Sequence, residues 1–360
     1  MRGVSILRAN KNGFTLLELM VVITLMGLVA SAGLAIVNTI SEQERTDIPN
    51  DLTKSKWAQI RYAIIGDSSL ILNNSPMLSG YVADMGRLPA NINELIELGD
   101  QPVWTRIQLS DVTPGLTGEV WGGWRGPYLN GTPEGSIRTF RDGWGTPNNP
   151  AKPDDFGWVV NLSYKNPQNS EITACLVPDC NAIAVQSLGA DGAPEGNGFN
   201  ADYPATGSLV GANEWQQNAL ITFDIRFNKA PCSPSPCTSP ALELRIYNFE
   251  DDVILDGTGT PANAPKDSIV MRSSNPNSII PGDPIVTFNH DGTTNPDGTT
   301  NPVSVTITET FPVGRYAAVV WCSDEEKVYN GNCSGSPEKQ PYYFTMLNST
   351  SKITIPWNIP

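Results

Sequence analysis

Histidine is almost missing: His290 is the only one in 360 residues. A histidine-based zinc site, and nucleophile–base chemistry that needs an imidazole near a Ser or Cys, both lose their usual player. CxxC spacing is absent too, which further disfavours zinc. Basic residues are also scarce, 23 Lys+Arg against 37 Asp+Glu, giving a net charge of −14. Nucleic-acid binding needs cations to displace counterions from phosphate, so this balance argues against it. No phosphate loop or dinucleotide fingerprint occurs. The acid pairs Asp154–Asp155 and Asp251–Asp252 read as solvated turns rather than glycosidase carboxylates. The sequence predicts a protein that is not an enzyme.

Glycine and proline are abundant, 32 and 30 residues, beside 39% hydrophobic and 17% charged residues. That composition describes a loop-rich, β-rich globular chain with enough apolar mass for a core. The acidity suits solubility outside the cytosol and is compatible with divalent cations. Six cysteines fall into local pairs, Cys175/Cys180, Cys232/Cys237 and Cys322/Cys333. In an exported chain this predicts three sequence-local disulfides, although spacing alone leaves the connectivity open.

One long apolar run, Phe14–Val37, follows Arg2, Arg8 and Lys11. As a helix it would be about 36 Å long, beyond the roughly 30 Å hydrocarbon core of a bilayer. The preceding cations predict that its start stays cytoplasmic. Three readings compete. A signal peptide would use Ala30-Ser31-Ala32 as its cleavage site. A plain anchor explains the length but not Glu18, the one charge in the run, which costs on the order of a few kcal/mol in lipid. The third reading gives that carboxylate a partner.

"GFTLLELMVV" (Gly13–Val22) resembles the prepilin leader and N-terminus of type IV pilins and type II secretion pseudopilins. The resemblance implies cleavage by prepilin peptidase between Gly13 and Phe14, and N-methylation of Phe14. Glu18 then takes the fifth mature position and pairs with the N-terminal ammonium of a neighbouring subunit. Two charges that are costly in lipid become one pair on assembly. The implied partners are other pilin or pseudopilin subunits, the peptidase, and the inner membrane before assembly. The bulk of the chain would be periplasmic, or at the cell surface in a filament. Many such proteins have Pro at the twenty-second mature position, where this chain has Ala35. The helix is therefore expected to run to about Asp47 and to break or bend at Ile48-Pro49. A second helix is expected from about Leu52 to Ile65, with Trp57, Ile60, Ala63 and Ile64 on one face.

Further along, "YVADMGRLPANINELI" (Tyr81–Ile96) reads as a turn feeding a short helix that Asn91 or Asn93 can cap. "GGWRGPYL", "RDGWGTP" and "SLGADG" follow, alone no more than turn and packing signals. In this order they resemble the globular domain of the major pseudopilin, although "RDGWGTP" departs from that family's usual Asp-Pro. The likeness covers roughly Gly13–Tyr203, with an insertion at Asn161–Asp179. It implies one structural calcium ion held by Asp191 and Asp202, the backbone carbonyls of Leu188 and Ala193, and Asn197 or Asn200. The oxygen-rich, glycine-rich loop meets the general needs of calcium. An EF-hand is rejected, because Ala193 stands where Asp or Asn is wanted and no helices flank the loop.

Beyond residue 218 the signal is alternation. In "ITFDIRF" Ile221, Phe223, Ile225 and Phe227 point one way, as do Leu242, Leu244 and Ile246 in "LELRI" and Val303, Val305 and Ile307 in "VSVTITETF". Further strands are expected at Arg315–Trp321, Tyr342–Met346 and Lys352–Pro356. "DGTTNP" occurs twice in tandem, Asp291–Pro296 and Asp297–Pro302, as a hairpin tip or linker extension. The expected fold is α+β: a leader (1–13), an assembly helix (14–48), a pilin-like antiparallel sheet domain (49–204), a linker (205–218), and an all-β sandwich-like domain (219–360), with an immunoglobulin-like form as one option.

Overall fold

A computed structural model describes residues 16–67, 71–72, 75–76, 78–111, 113–166, 172–177, 179–217, 221–228, 241–251, 267–273, 288–289, 303–307, 310–322, 325–331, 333 and 339–359. Side chains are described for all of these except 32–46, 71–72, 75–76, 241, 251, 267–273, 288–289 and 303–307. Gly13, Phe14, Cys232, Cys237, His290 and both DGTTNP repeats lie outside these residues.

The chain is mixed α+β, a long N-terminal helix followed by many small, mostly antiparallel sheets. Helix α1 runs unbroken over Leu16–Ile65 with Pro49 inside it, which corrects the expected break at Ile48-Pro49 and the separate helix from Leu52. Two bonds hold the turn after the proline. The Thr53 hydroxyl donates to the Pro49 carbonyl at 2.8 Å and accepts the Gly143 amide at 2.9 Å. Proline forfeits one helical hydrogen bond, and this tertiary anchor offsets the loss. Among the described residues no helix is long and apolar enough to cross a membrane. The run expected to do so lies partly outside them.

The last turns of α1 bury Ile60, Ala63 and Ile64, with Trp57 half-buried beside them. The Trp57 indole N–H donates to the Val185 carbonyl at 2.9 Å. Helix α2 (Tyr81–Met85) ends at Gly86, whose φ of 71° is the left-handed C-cap that glycine adopts without strain. The short helix expected after this turn is a single 3-10 turn, Asn93–Leu95, whose N-cap is Ile92 rather than Asn91 or Asn93; Asn91 Oδ1 accepts the Glu94 amide at 3.0 Å from one residue further out. Strands β1 (Thr105–Gln108) and β2 (Glu119–Gly122) form an antiparallel hairpin. Strand β3 (Val159–Lys165) pairs antiparallel with β4 (Ile172–Ala174) and β5 (Ala182–Gln186). The Cys175–Cys180 disulfide closes the turn between β4 and β5. Helix α3 (Ala212–Trp215) sits in the segment expected to be a linker. There Leu209, Val210 and Trp215 are buried in the same core as α1 and β5.

The alternating segments beyond residue 218 are strands. Among the described residues β6 (Ile221–Phe227), β10 (Val303–Ile307) and β14 (Lys352–Trp357) make a three-stranded sheet in the order β10-β6-β14. A six-stranded sheet is built from β7 (Ala241–Asp251), β8 (Asp267–Ser273), β9 (Phe288–Asn289), β11 (Gly314–Cys322), β12 (Lys327–Val328) and β13 (Tyr342–Met346). The β6–β14 pairing is parallel, unlike the neighbouring ladders. The expected inward set Ile221, Phe223, Ile225, Phe227, Leu242, Leu244 and Ile246 is buried. Strand β11 is buried along nearly its whole length. Its "YAAVVWC" run is the continuous apolar pattern of a strand covered on both faces. One face meets the three-stranded sheet, where Phe344 and Phe223 ring centroids lie 6.1 Å apart. The other meets the β1–β2 hairpin, so Leu109, Leu116 and Val120 belong to this second core. Cys322–Cys333 is a disulfide, as its local spacing predicts.

Candidate functional site

Glu18 lies in the first turn of α1 and is exposed. Around it Leu16, Leu17, Leu19 and Met20 are between 54% and 78% exposed in a single copy. An apolar helix face of this size on an isolated chain marks a surface for other helices or for lipid. Gly13 and Phe14, the expected cleavage site, lie just beyond the described residues.

The "RDGWGTP" turn and the ends of the "SLGADG" loop meet beside α1. Asp142, buried, accepts the Thr146 amide (2.9 Å) and hydroxyl (2.7 Å), which closes the "RDGWGTP" turn. The same carboxylate accepts the Ser187 hydroxyl at 2.6 Å, joining this turn to the start of "SLGADG". Ser187 and Tyr203 exchange backbone hydrogen bonds at 2.8 and 2.9 Å, so residues 188–202 form a loop with pinned ends. Within it Ala190 N–H donates to the Phe199 carbonyl at 2.9 Å. Ala193 N–H donates to Asp191 Oδ1 at 3.1 Å, and Glu195 N–H to Asp202 Oδ2 at 3.0 Å. The other Asp202 oxygen, Oδ1, is buried with no hydrogen-bond partner. A buried carboxylate oxygen without a donor is costly, and a hard cation satisfies such an atom. The oxygen-only donors of this loop therefore fit calcium in kind. Asn197 and Asn200 flank a short 3-10 turn, Gly198–Asn200, in the same loop, and Leu188 and Ala193 lie on its backbone. Among the described residues no group of three or more His, Cys, Asp or Glu side chains is placed to hold a metal.

Asp155 and Asp84 are among the buried carboxylates that local sequence pattern does not reveal. Asp155, expected in a solvated turn, is buried at 3% exposure in the 3-10 turn Pro153–Asp155. Burial pushes its pKa up to about 7, against the opposing pull of Lys152 and the Ile92 amide. The turn folds inward because Phe156 and Trp158, flanking it, enter the first core. Asp84 on α2 has a fully buried side chain held by Arg125 Nε (3.1 Å), Arg315 Nη1 (3.2 Å) and the Tyr128 hydroxyl (3.1 Å). Burial still raises its pKa, ahead of the lowering by both arginines. Asp84 and Arg315 are 231 residues apart in sequence, beyond the reach of local pattern.

A family model, the prokaryotic N-terminal methylation motif, matches residues 8–34. This prepilin-type signal implies processing by a prepilin peptidase, inner-membrane anchoring before assembly, and pilin-like assembly. No curated protein and no solved structure matches the chain.

Proposed function

We propose that the chain is a non-enzymatic structural subunit of a type II secretion pseudopilus or a related type IV pilus-like filament. The observation that carries this reading is the methylation motif at residues 8–34 running into a 50-residue helix with Glu18 in its first turn. Cleavage between Gly13 and Phe14 leaves an N-methylated ammonium four residues from Glu18. In a packed filament the ammonium of one copy lies against the carboxylate of the next, and the two charges set the helix register. Misregister leaves both uncompensated in an apolar bundle, which is strongly unfavourable. The exposed apolar residues of α1 supply the rest of the contact.

The second reading is a low-copy minor pilin at the filament tip, whose C-terminal β-domain is adhesive or ligand-binding. The second core favours it, because β6 to β14 add bulk that neighbouring copies in a fibre must clear. A membrane-anchored periplasmic binding protein is the third. Intact mass of the membrane-extracted chain tests the processing step: loss of Met1–Gly13 and one added methyl is expected, and a chain that keeps its first thirteen residues refutes it. Glu18→Ala should abolish assembly under the first two readings and leave a mere anchor unaffected. Immunogold labelling along the fibre supports a major subunit, and labelling at ends only supports the second reading.

The resemblance to pseudopilins also motivates one structural calcium ion in the 188–202 loop, with Asp191 and Asp202 as carboxylate ligands. The orphaned Asp202 oxygen is the feature of this chain that suits it. The binding energy of the cation would offset the entropic cost of ordering the loop. Chelation should lower the melting temperature, and Asp191→Ala should remove that response. An unchanged melt on chelation would refute the site.

A further inference from the structure

We propose that Thr53, Lys56 and Trp57 couple the 188–202 loop to helix α1, so that a cation bound in the loop tightens the seat of the assembly helix. This inference rests on the cation reading given above. The three residues stand three and four positions apart, the spacing of one helix face. Thr53 and Lys56 hold the "RDGWGTP" turn: the Thr53 hydroxyl accepts the Gly143 amide at 2.9 Å, and Lys56 Nζ donates to the Arg141 carbonyl at 2.8 Å. Trp57 holds the loop ends. Its indole N–H donates to the Val185 carbonyl at 2.9 Å, and its ring meets Tyr203 edge to face, with centroids 5.9 Å apart. Tyr203 exchanges backbone bonds with Ser187, and the Ser187 hydroxyl donates to Asp142 at 2.6 Å. Asp142 lies between Arg141 and Gly143, so the circuit from helix to loop and back to helix is closed.

The empty loop has a reason to open. Asp202 Oδ1 is buried with no hydrogen-bond partner, a cost that opening relieves by returning the oxygen to water. A cation relieves the same cost with the loop closed. The ion therefore favours the closed state over the open one, and that difference is what shifts a population. Residues 190–200 are all exposed, so opening breaks few contacts. An open loop holds Ser187 and Tyr203 less firmly. Asp142 then loses the Ser187 hydroxyl, Trp57 loses its ring partner, and the turn slackens against Thr53 and Lys56.

The assembly end of α1 feels this seat through leverage. The helix is continuous over Leu16–Ile65, which puts Glu18 about 50 Å along it from Thr53. A small tilt at the seat moves Glu18 by several ångströms, and a tight seat holds it to one direction.

Hydrogen exchange of the full chain in detergent, with calcium or with chelator, reads loop and helix separately. Calcium should slow exchange in 188–203, and in 53–58 by at least about fivefold. The helix response should exceed that of β11 in the second core, which reports global stability. Ser187→Ala cuts the link to Asp142 and leaves the proposed ligands in place, so its loop should still respond while its helix responds less. Linkage is reciprocal: Thr53→Val should weaken calcium binding by about the factor by which calcium protects the helix. Thr53→Ser, which keeps the hydroxyl, should restore it. Thermal melts establish which variants are folded, and the Ser187→Ala result stands if Thr53→Val is not. Loop protection with no response in 53–58 beyond that of β11, or a helix response undiminished in Ser187→Ala, would overturn the coupling and leave the ion in place. No calcium response in the loop removes the ion, and the coupling falls with it.

Discussion

Asp155 shows how burial sets the behaviour of a single carboxyl. Desolvation, helped by the adjacent Asp154, outweighs Lys152 and the Ile92 amide, which favour the charged form, and the pKa rises to about 7 from the ordinary 3.8. Below pH 3.8 the group is protonated in both the folded and unfolded chains and contributes nothing to pH dependence. Between 3.8 and about 7 the unfolded chain releases the proton and the folded chain keeps it. Stability falls across that window, by on the order of a few kcal/mol. Asp155→Asn, which keeps an acceptor for the Ile92 amide, should raise the melting temperature at pH 8. The gain should shrink with acidification and vanish near pH 4. Thermal melts of both chains across this range check it, and a gain of equal size at pH 4 and pH 8 would contradict the assignment. Asp84 shifts in the same direction, while Glu134 and Glu214, held by Arg141 and Arg61, shift down. The lowered pair contributes stability above the ordinary glutamate pKa and loses it as pH falls through the folded value.

At the scale of elements, the docking of α1 onto the middle region depends on one close approach. A Cβ on Gly143 would lie 1.9 Å from the Pro49 carbonyl oxygen, a backbone atom in mid-helix that cannot swing aside. Gly143→Ala should therefore destabilise the chain by about 3 kcal/mol, the upper end of overpacking costs, read by denaturant titration. Thr53→Val should cost about 1–3 kcal/mol through the unsatisfied Gly143 amide. A neutral Gly143→Ala would show that α1 is free to shift on its bed. This contact also explains where sequence reading stopped. Alternation in "ITFDIRF" and the helical face Trp57–Ile64 are local, and both were legible because one buried surface imposes one period. Pro49 signals a helix end by propensity, which carries no knowledge of Thr53 and Gly143 meeting across 90 residues. The parallel partner of β6 and the additional residues of β7 beyond "LELRI" were hidden for the same reason: strand partners are chosen by long-range packing. Of the candidate site, the motif around Glu18 and the "SLGADG" loop were written in short stretches of chain. The Asp84–Arg315 pair joins residues that no local pattern connects.

For the molecule as a whole, the question is whether the expected boundary near residues 205–218 separates two independent folding units. The side chains argue against a clean cut. Leu209, Val210 and Trp215 close the first core from within the supposed linker. Leu109, Leu116 and Val120, from the middle region, are buried in the second core with Leu244 and Val319. A Cβ on Gly122 would lie 2.0 Å from the Phe249 ring, so hairpin and sheet meet without slack. The Thr113 and Tyr247 hydroxyls are 3.0 Å apart across the same seam, and Asp84 reaches Arg315 from the other side. Removing everything after residue 217 would bare the apolar face of the β1–β2 hairpin and leave buried Asp84 with one arginine in place of two. A fragment spanning 47–217 should therefore bind a hydrophobic dye and melt broadly or at a much lower temperature, while a chain spanning 47–359 should melt in one cooperative transition. If the short fragment instead melts cooperatively at the temperature of the longer chain, the two cores are separable and the seam contributes little to either.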